Sequence, residues 1–142
     1  MLDKQKLILS KINLTSITKP IIKPLYDLES IKPGIIHLGL GNFHRAHQAL
    51  YLDDLFNMGL DHDWGIVGSG VMPHDAAMRK ALFEQDLLTT VVELEPGANR
   101  VRVIGSMVDF LPVESGNASL IRSLCNPAIR IVSMTITEGG YF

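Results

Sequence analysis

A chain of 142 residues with 46% hydrophobic and 20% charged residues has the size and composition of one ordinary globular domain, which excludes a disordered polar chain. The formal net charge is −2; with no arginine–lysine stripe and few aromatic residues, nucleic-acid binding has no electrostatic footing. No apolar run reaches the roughly 18 residues that a membrane span requires, and the polar start Met1-Leu2-Asp3-Lys4-Gln5-Lys6 lacks the apolar core of a secretory signal.

The single cysteine, Cys125, cannot close an internal disulfide, which fits a reducing compartment and a cytoplasmic protein. Its setting, Leu120-Ile121-x-x-Leu124-Cys125, reads as a small buried hydrophobe. In chain order, residues 1–33 form an N-terminal arm broken by Pro20, Pro24 and Pro33, extended or turning, with scattered lysines (Lys4, Lys6, Lys11, Lys19, Lys23, Lys32) on a solvated surface. A short helix from Leu2 to Ile12 is compatible with it. The second unit, residues 34–142, begins with Ile35-Ile36-His37-Leu38, a short apolar run stopped by glycine that reads as a buried strand. From Phe43 to Met58, Ala46, Ala49, Leu50, Leu52, Leu55 and Phe56 share one helical face, and Gly59 suits the helix end.

Trp64 to Gly68 reads as a second strand. Pro73 opens a helix carried through Ala76, Ala77, Met78, Ala81 and Leu82. Leu87–Leu94 is a third strand, Glu95–Asn99 a turn, and Val101–Ile104 its hairpin partner. Asn117–Asn126 is a helix capped by Asn117 or Ser115, and Ile129–Thr137 a final buried strand. This alternation predicts a doubly wound, mostly parallel, Rossmann-like α/β sheet. A hairpin-like insert at residues 88–112 leaves room for a mixed sheet.

The chemistry concentrates where the first strand ends. In Gly39-Leu40-Gly41 an apolar strand enters a glycine pair and a helix leaves it, the context of a dinucleotide fingerprint. Gly39 permits the tight turn, Gly41 lets backbone approach a phosphate, and the N–H groups at the helix start attract it. The match is partial, because His44 stands at the third glycine position. A ribose-binding acid belongs after the second strand; Asp61 and Asp63 precede it and are set aside, whereas Asp75 follows it and reads equally as a ribose ligand or as a helix cap. His44 and His47, with Asp53 or Asp54, raise a metal reading, but no set of ligands with metal spacing accompanies them, and no metal is expected. Arg45 reads as a phosphate contact or an exposed side chain. Glu138-Gly139-Gly140, ending the last strand, lines a pocket or merely turns.

The run Gly39-Leu40-Gly41-Asn42-Phe43-His44-Arg45-Ala46-His47-Gln48 is similar to the glycine loop of long-chain mannitol dehydrogenases, a family that also holds fructuronate and tagaturonate reductases and arabinitol dehydrogenases. Val101–Ser106 and Ile131–Tyr141 resemble two further family segments, and Glu138-Gly139-Gly140-Tyr141 resembles the mannitol 2-dehydrogenase branch. The resemblance implies zinc-independent, NAD-linked interconversion of a polyol and a ketose such as mannitol and fructose. It implies a cofactor site at Ile36, Gly39, Leu40, Gly41, Asn42, Phe43, His44 and Arg45. It also puts Asp75 on the adenosine ribose, where a carboxylate repels the 2′-phosphate of NADP. Some members carry a second acid where this chain has His74. The family's lysine general base, with its asparagine and histidine partners, lies in a later helical domain, so no catalytic residue is expected here and the chain reads as an inactive fragment. A uronate reductase on the same scaffold, a non-catalytic nucleotide-binding module and a purely structural domain are the competing readings.

Overall fold

A computed structural model describes residues 8–136. The expectations for residues 1–7 and for Glu138-Gly139-Gly140 lie outside the described residues. The elements are β1 (Pro33–Leu38), α1 (Asn42–Ala46), α2 (Gln48–Asn57), β2 (Gly65–Ser69), α3 (Asp75–Phe83), β3 (Thr89–Glu95), β4 (Ala98–Ile104), β5 (Met107–Leu111), α4 (Ala118–Leu124) and β6 (Ile131–Met134).

Four strands form an all-parallel sheet in the order β5-β2-β1-β6. The chain winds outward from β1 through β2 to β5, then returns across β1 to lay down β6. The winding therefore reverses between β1 and β6, and ligands of such sheets gather at that reversal, beyond the carboxyl ends of the strands. Strand alternation sends side chains to two cores. Ile66, Met107 and Phe110 meet Ala49 of α2 and Leu82 of α3, whereas Ile36, Val67 and Leu111 meet Leu120 of α4.

Five local expectations change. The helix predicted across Phe43–Met58 breaks at His47, whose backbone (φ −123, ψ −80) leaves the helical region. There the His47 Nδ1 sits 2.9 Å from the Phe43 carbonyl oxygen and its ring stacks on Phe43, with centroids 4.4 Å apart. The mixed sheet does not form: β3 and β4 make a separate antiparallel hairpin, bridged on its β4 side to Ile22 of the arm. The segment after it, broken in the sequence by Asp109, is instead β5, parallel to β2.

Neither Asn117 nor Ser115 caps α4. Asn117 is left-handed (φ 53), and the Glu114 carboxylate accepts the Ser119 N–H instead. Cys125 is exposed, not buried. It follows Leu120 by five residues, and at 3.6 residues per turn that rotation carries it about 140° away from the side that packs on the sheet.

The arm packs on the sheet domain. Ile22 donates its N–H to the Val101 carbonyl at 3.0 Å and accepts from Val103 at 2.8 Å. The Tyr26 hydroxyl donates to Asp53 Oδ1 at 2.6 Å. Asp53, wholly buried, also accepts from the Gly105 N–H at 2.9 Å and Asn57 Nδ2 at 3.0 Å, with Arg102 Nη2 at 3.4 Å. The described part of the expected Leu2–Ile12 helix carries no α-helix; a 3-10 turn follows at Ile12–Ser16. No helix among the described residues is long and apolar enough to cross a membrane.

Candidate cofactor-binding site

β1 delivers the glycine turn to the reversal point. The Gly39 N–H donates to the Ser69 carbonyl of β2 at 2.9 Å, and the Thr135 N–H donates to the Leu38 carbonyl at 3.3 Å. The turn is thereby tied to the strands on both sides. Gly39 sits at φ +77, a left-handed conformation that disfavours any side chain. Leu40 turns inward, 5% exposed, into the core with Ile66 and Phe110.

Gly41 differs from Gly39. Its backbone (φ −107, ψ −174) suits any residue, and a Cβ there would come no closer to another atom than 4.0 Å, at the Gly39 carbonyl oxygen. Neither strain nor packing requires glycine at this position. The free space in front of it fits a group that approaches the backbone from outside. The N–H groups of Asn42, Phe43 and His44 precede the first intrahelical bond, from the Arg45 N–H to Gly41 O, and no side chain caps them. Because α1 has only five residues, attraction for an anion there rests on these local donors more than on a long helix dipole.

Under the turn two imidazoles stack. The rings of His37 and His44 are parallel within 19°, with centroids 3.7 Å apart. His37 reaches Ser133 Oγ at 2.9 Å and Thr135 Oγ1 at 3.1 Å, whereas both ring nitrogens of buried His44 lack a partner. Burial, then the neighbouring His37 and Arg45, push the His44 pKa down to about 3. Burial also lowers that of His37. Both are therefore neutral near pH 7. Sequence reasoning missed His37; its signal was a polar residue alternating out of step with Ile36 and Leu38.

Asp75 opens α3 at the carboxyl end of β2. Its Oδ2 accepts from the Val71 N–H at 2.8 Å and the Met72 N–H at 2.9 Å, so it holds its own loop. Its Oδ1 lies 3.6 Å from Nε2 of exposed His74. A Cβ on Gly70 would come within 2.4 Å of the Asp75 Cβ, so glycine there lets the loop close. Arg45 donates to Asn42 Oδ1 and to the Met78 sulfur.

The structure thus brings Gly39, Gly41, Asn42 and Phe43 to the surface of the turn, with Asp75 at the end of the neighbouring strand. It buries the side chains of Ile36, Leu40 and His44 beneath. Asp61 and Asp63 lie at the opposite end of β2, where Asp63 pairs with Arg130 at 3.0 Å. His47 is exposed and apart from buried His44, and Asp53 is engaged with Tyr26. No group of three or more His, Cys, Asp or Glu that could hold a metal ion occurs among the described residues.

The profile of the mannitol dehydrogenase Rossmann domain matches residues 33–141. The chain belongs to the mannitol dehydrogenase family. Mannitol 2-dehydrogenase of Cereibacter sphaeroides is 58% identical over 125 residues, covering 88% of this chain and 26% of that relative. The polyol:NADP oxidoreductase of Gluconobacter oxydans is 44% identical, covering 90% of this chain and 27% of that relative. The structure of Pseudomonas fluorescens mannitol 2-dehydrogenase, a ternary complex with NAD and D-mannitol, superposes with a TM-score of 0.89 at 48% identity, covering 94% of this chain and 27% of that one. The chain thus spans about a quarter of the length of these mannitol dehydrogenase relatives, and its Rossmann-like sheet is theirs.

Proposed function

We propose that this chain is the NAD-binding part of a polyol dehydrogenase whose intact form interconverts D-mannitol and D-fructose. The carrying observation is the open space before Gly41, at a strand-to-helix turn on the sheet's reversal point. Membership of the mannitol dehydrogenase family and the likeness to a structure bound to NAD and D-mannitol support the same reading.

In this reading Gly41 lets the pyrophosphate meet the backbone, and the N–H groups of Asn42 and Phe43 donate to its oxygens. Gly39 shapes the turn, Ile36 and Leu40 support it from the core, and His44 stacks under it. Asp75 accepts from a hydroxyl of the adenosine ribose through the oxygen its loop leaves free. Bound there, the dinucleotide would accept a hydride from the second carbon of the polyol. The alcohol proton leaves to a base, and no residue of this chain is assigned that task. The substrate, a small-molecule polyol or ketose, would be chosen by parts of the intact protein beyond these residues.

NADH titration followed by nicotinamide fluorescence tests the reading. Gly41→Val is expected to keep the fold, with stability within about 0.5 kcal/mol of the parent, because the new side chain enters free space. It is expected to weaken NADH at least tenfold. A Gly41→Val chain that binds NADH as well as the parent would falsify the phosphate-turn assignment.

A further inference from the structure

A cavity of about 510 Å³ lies between α1, α3 and β3, a size within the range of small-ligand pockets. Of the residues assigned above to the dinucleotide, only Asn42 reaches its wall. Ala46, Ala81, Leu82 and Val91 make part of the lining apolar, and no acidic residue lines it. The Arg45 guanidinium stands there with two neutral partners, Asn42 Oδ1 and the Met78 sulfur, the second a weak acceptor. A guanidinium carries five N–H donors, so these two bonds leave three of Arg45 without a described partner. Burial pulls its pKa down, as for a charge that has lost water without gaining a counter-ion.

A second set of donors comes from the main chain. Thr89, Thr90, Val91 and Val92 all line the cavity. Side chains alternate along a strand, so the backbone of β3 borders the cavity and not one side-chain face alone. The register of the hairpin fixes which backbone groups point outward. On β4, the Val101 carbonyl and the Val103 N–H turn away from β3 to bond Ile22 of the arm. Their partners across the hairpin are Val92 and Thr90. In an antiparallel ladder both residues of such a pair point their polar groups outward. Thr90 and Val92 therefore present N–H and carbonyl groups on the edge opposite the arm, and no other described backbone group bonds them.

A half-buried cation without a counter-ion is costly, and its planar fork matches a carboxylate through two parallel bonds. One guanidinium balances one negative charge. The apolar part of the lining suits a hydrocarbon body behind the acid, which inorganic phosphate lacks. We propose that this cavity binds a small aliphatic monocarboxylate, held by the Arg45 guanidinium, at a site separate from the glycine turn. The inference stands independently of the cofactor reading. Its probe is hexanoate, with hexanamide as the uncharged counterpart, each titrated by calorimetry at fixed ionic strength into the parent chain, Arg45→Gln, Arg45→Lys and Gly41→Val.

In the parent, hexanoate is expected to bind in the millimolar range or tighter, and hexanamide about tenfold more weakly, the size of one charge-assisted contact. Arg45→Gln should bring hexanoate down to the level of hexanamide, and Arg45→Lys, which keeps the charge and loses the fork, should fall between. Gly41→Val should leave hexanoate unchanged, and the backbone amide resonances of Thr90 and Val92 should shift as hexanoate is added to the parent. Equal affinity for hexanoate and hexanamide, no binding of hexanoate in the millimolar range, or unchanged affinity in Arg45→Gln each overturns the proposal. Competitive displacement of hexanoate by inorganic phosphate or NADH would give Arg45 to the cofactor phosphates; that also overturns it and leaves the cofactor reading standing. If Arg45→Gln does not fold, the parent's own comparison and Arg45→Lys still decide.

Discussion

Neutral His44, wedged against His37 with neither ring nitrogen bonded, makes the glycine turn sensitive to acid. An unfolded histidine titrates near 6.5, whereas burial holds folded His44 at about 3. Between these values the unfolded chain binds the extra proton. Stability is therefore complete above about pH 6.5 and falls as the pH drops toward 3, with a limiting slope of about 1.4 kcal/mol per unit from this one group. Urea midpoints measured from pH 7 to pH 4 should show that decline. His44→Phe, which keeps an aromatic ring against His37 and removes one proton site, should make it shallower and leave the share of His37, whose pKa burial also lowers; an unchanged slope would show that other groups carry the pH dependence. The same residue illustrates what a linear reading loses. In sequence His44 stood at a glycine position and invited a phosphate or metal role. In space its ring is beneath the turn, and only its backbone N–H remains for a ligand.

At the scale of elements, the arm, α2 and the hairpin meet on Asp53. Its carboxylate collects the Tyr26 hydroxyl, the Gly105 N–H, Asn57 and Arg102, and Arg102 also pairs with Asp54 and with Glu93 at 3.7 Å. Tyr26→Phe removes one donor and should lower stability by about 1 kcal/mol. Asp53→Ala leaves Arg102 buried beside fewer acids and should cost roughly 3 kcal/mol, the lower range for a broken buried pair. Guanidinium unfolding of both variants checks the order; a larger loss in Tyr26→Phe would contradict this division. In the sequence Asp53 entered only as one alternative, beside Asp54, in a metal reading with His44 and His47. Its partners come from 27, 49 and 52 residues away, a distance over which no periodicity operates. The break at His47 was hidden for a related reason, since the apolar spacing continues through it and a side-chain contact with Phe43 ends α1.

Across the whole molecule, the sheet is protected unequally. On the β5 side, Phe110 and Leu111 are buried. On the other side no described strand lies beyond β6, whose Ile131, Val132 and Met134 are 44%, 50% and 55% exposed. An edge without charge, proline or bulge invites pairing with other chains. Met134→Lys should reduce light scattering at high protein concentration while changing stability by no more than about 0.5 kcal/mol; equal scattering would place the association elsewhere.

The strand-turn-helix unit at Ile35–Ala46, the parallel winding and the hairpin were legible in the residues by themselves. Period-two and helical patterns are local, and a glycine at φ +77 needs only its own backbone to explain it. The Phe43-His44-Arg45-Ala46-His47 string carried the family for the same reason, because it is contiguous. Tertiary structure decided the rest. It placed β5 in the main sheet although Asp109 interrupts its apolar run, and it turned Cys125 to solvent by helix rotation. It stacked His37 on His44, and it set the Asp75 carboxylate against its own loop. Each of these depends on which distant surface a side chain meets, and that is settled only when the sheet order brings the surfaces together.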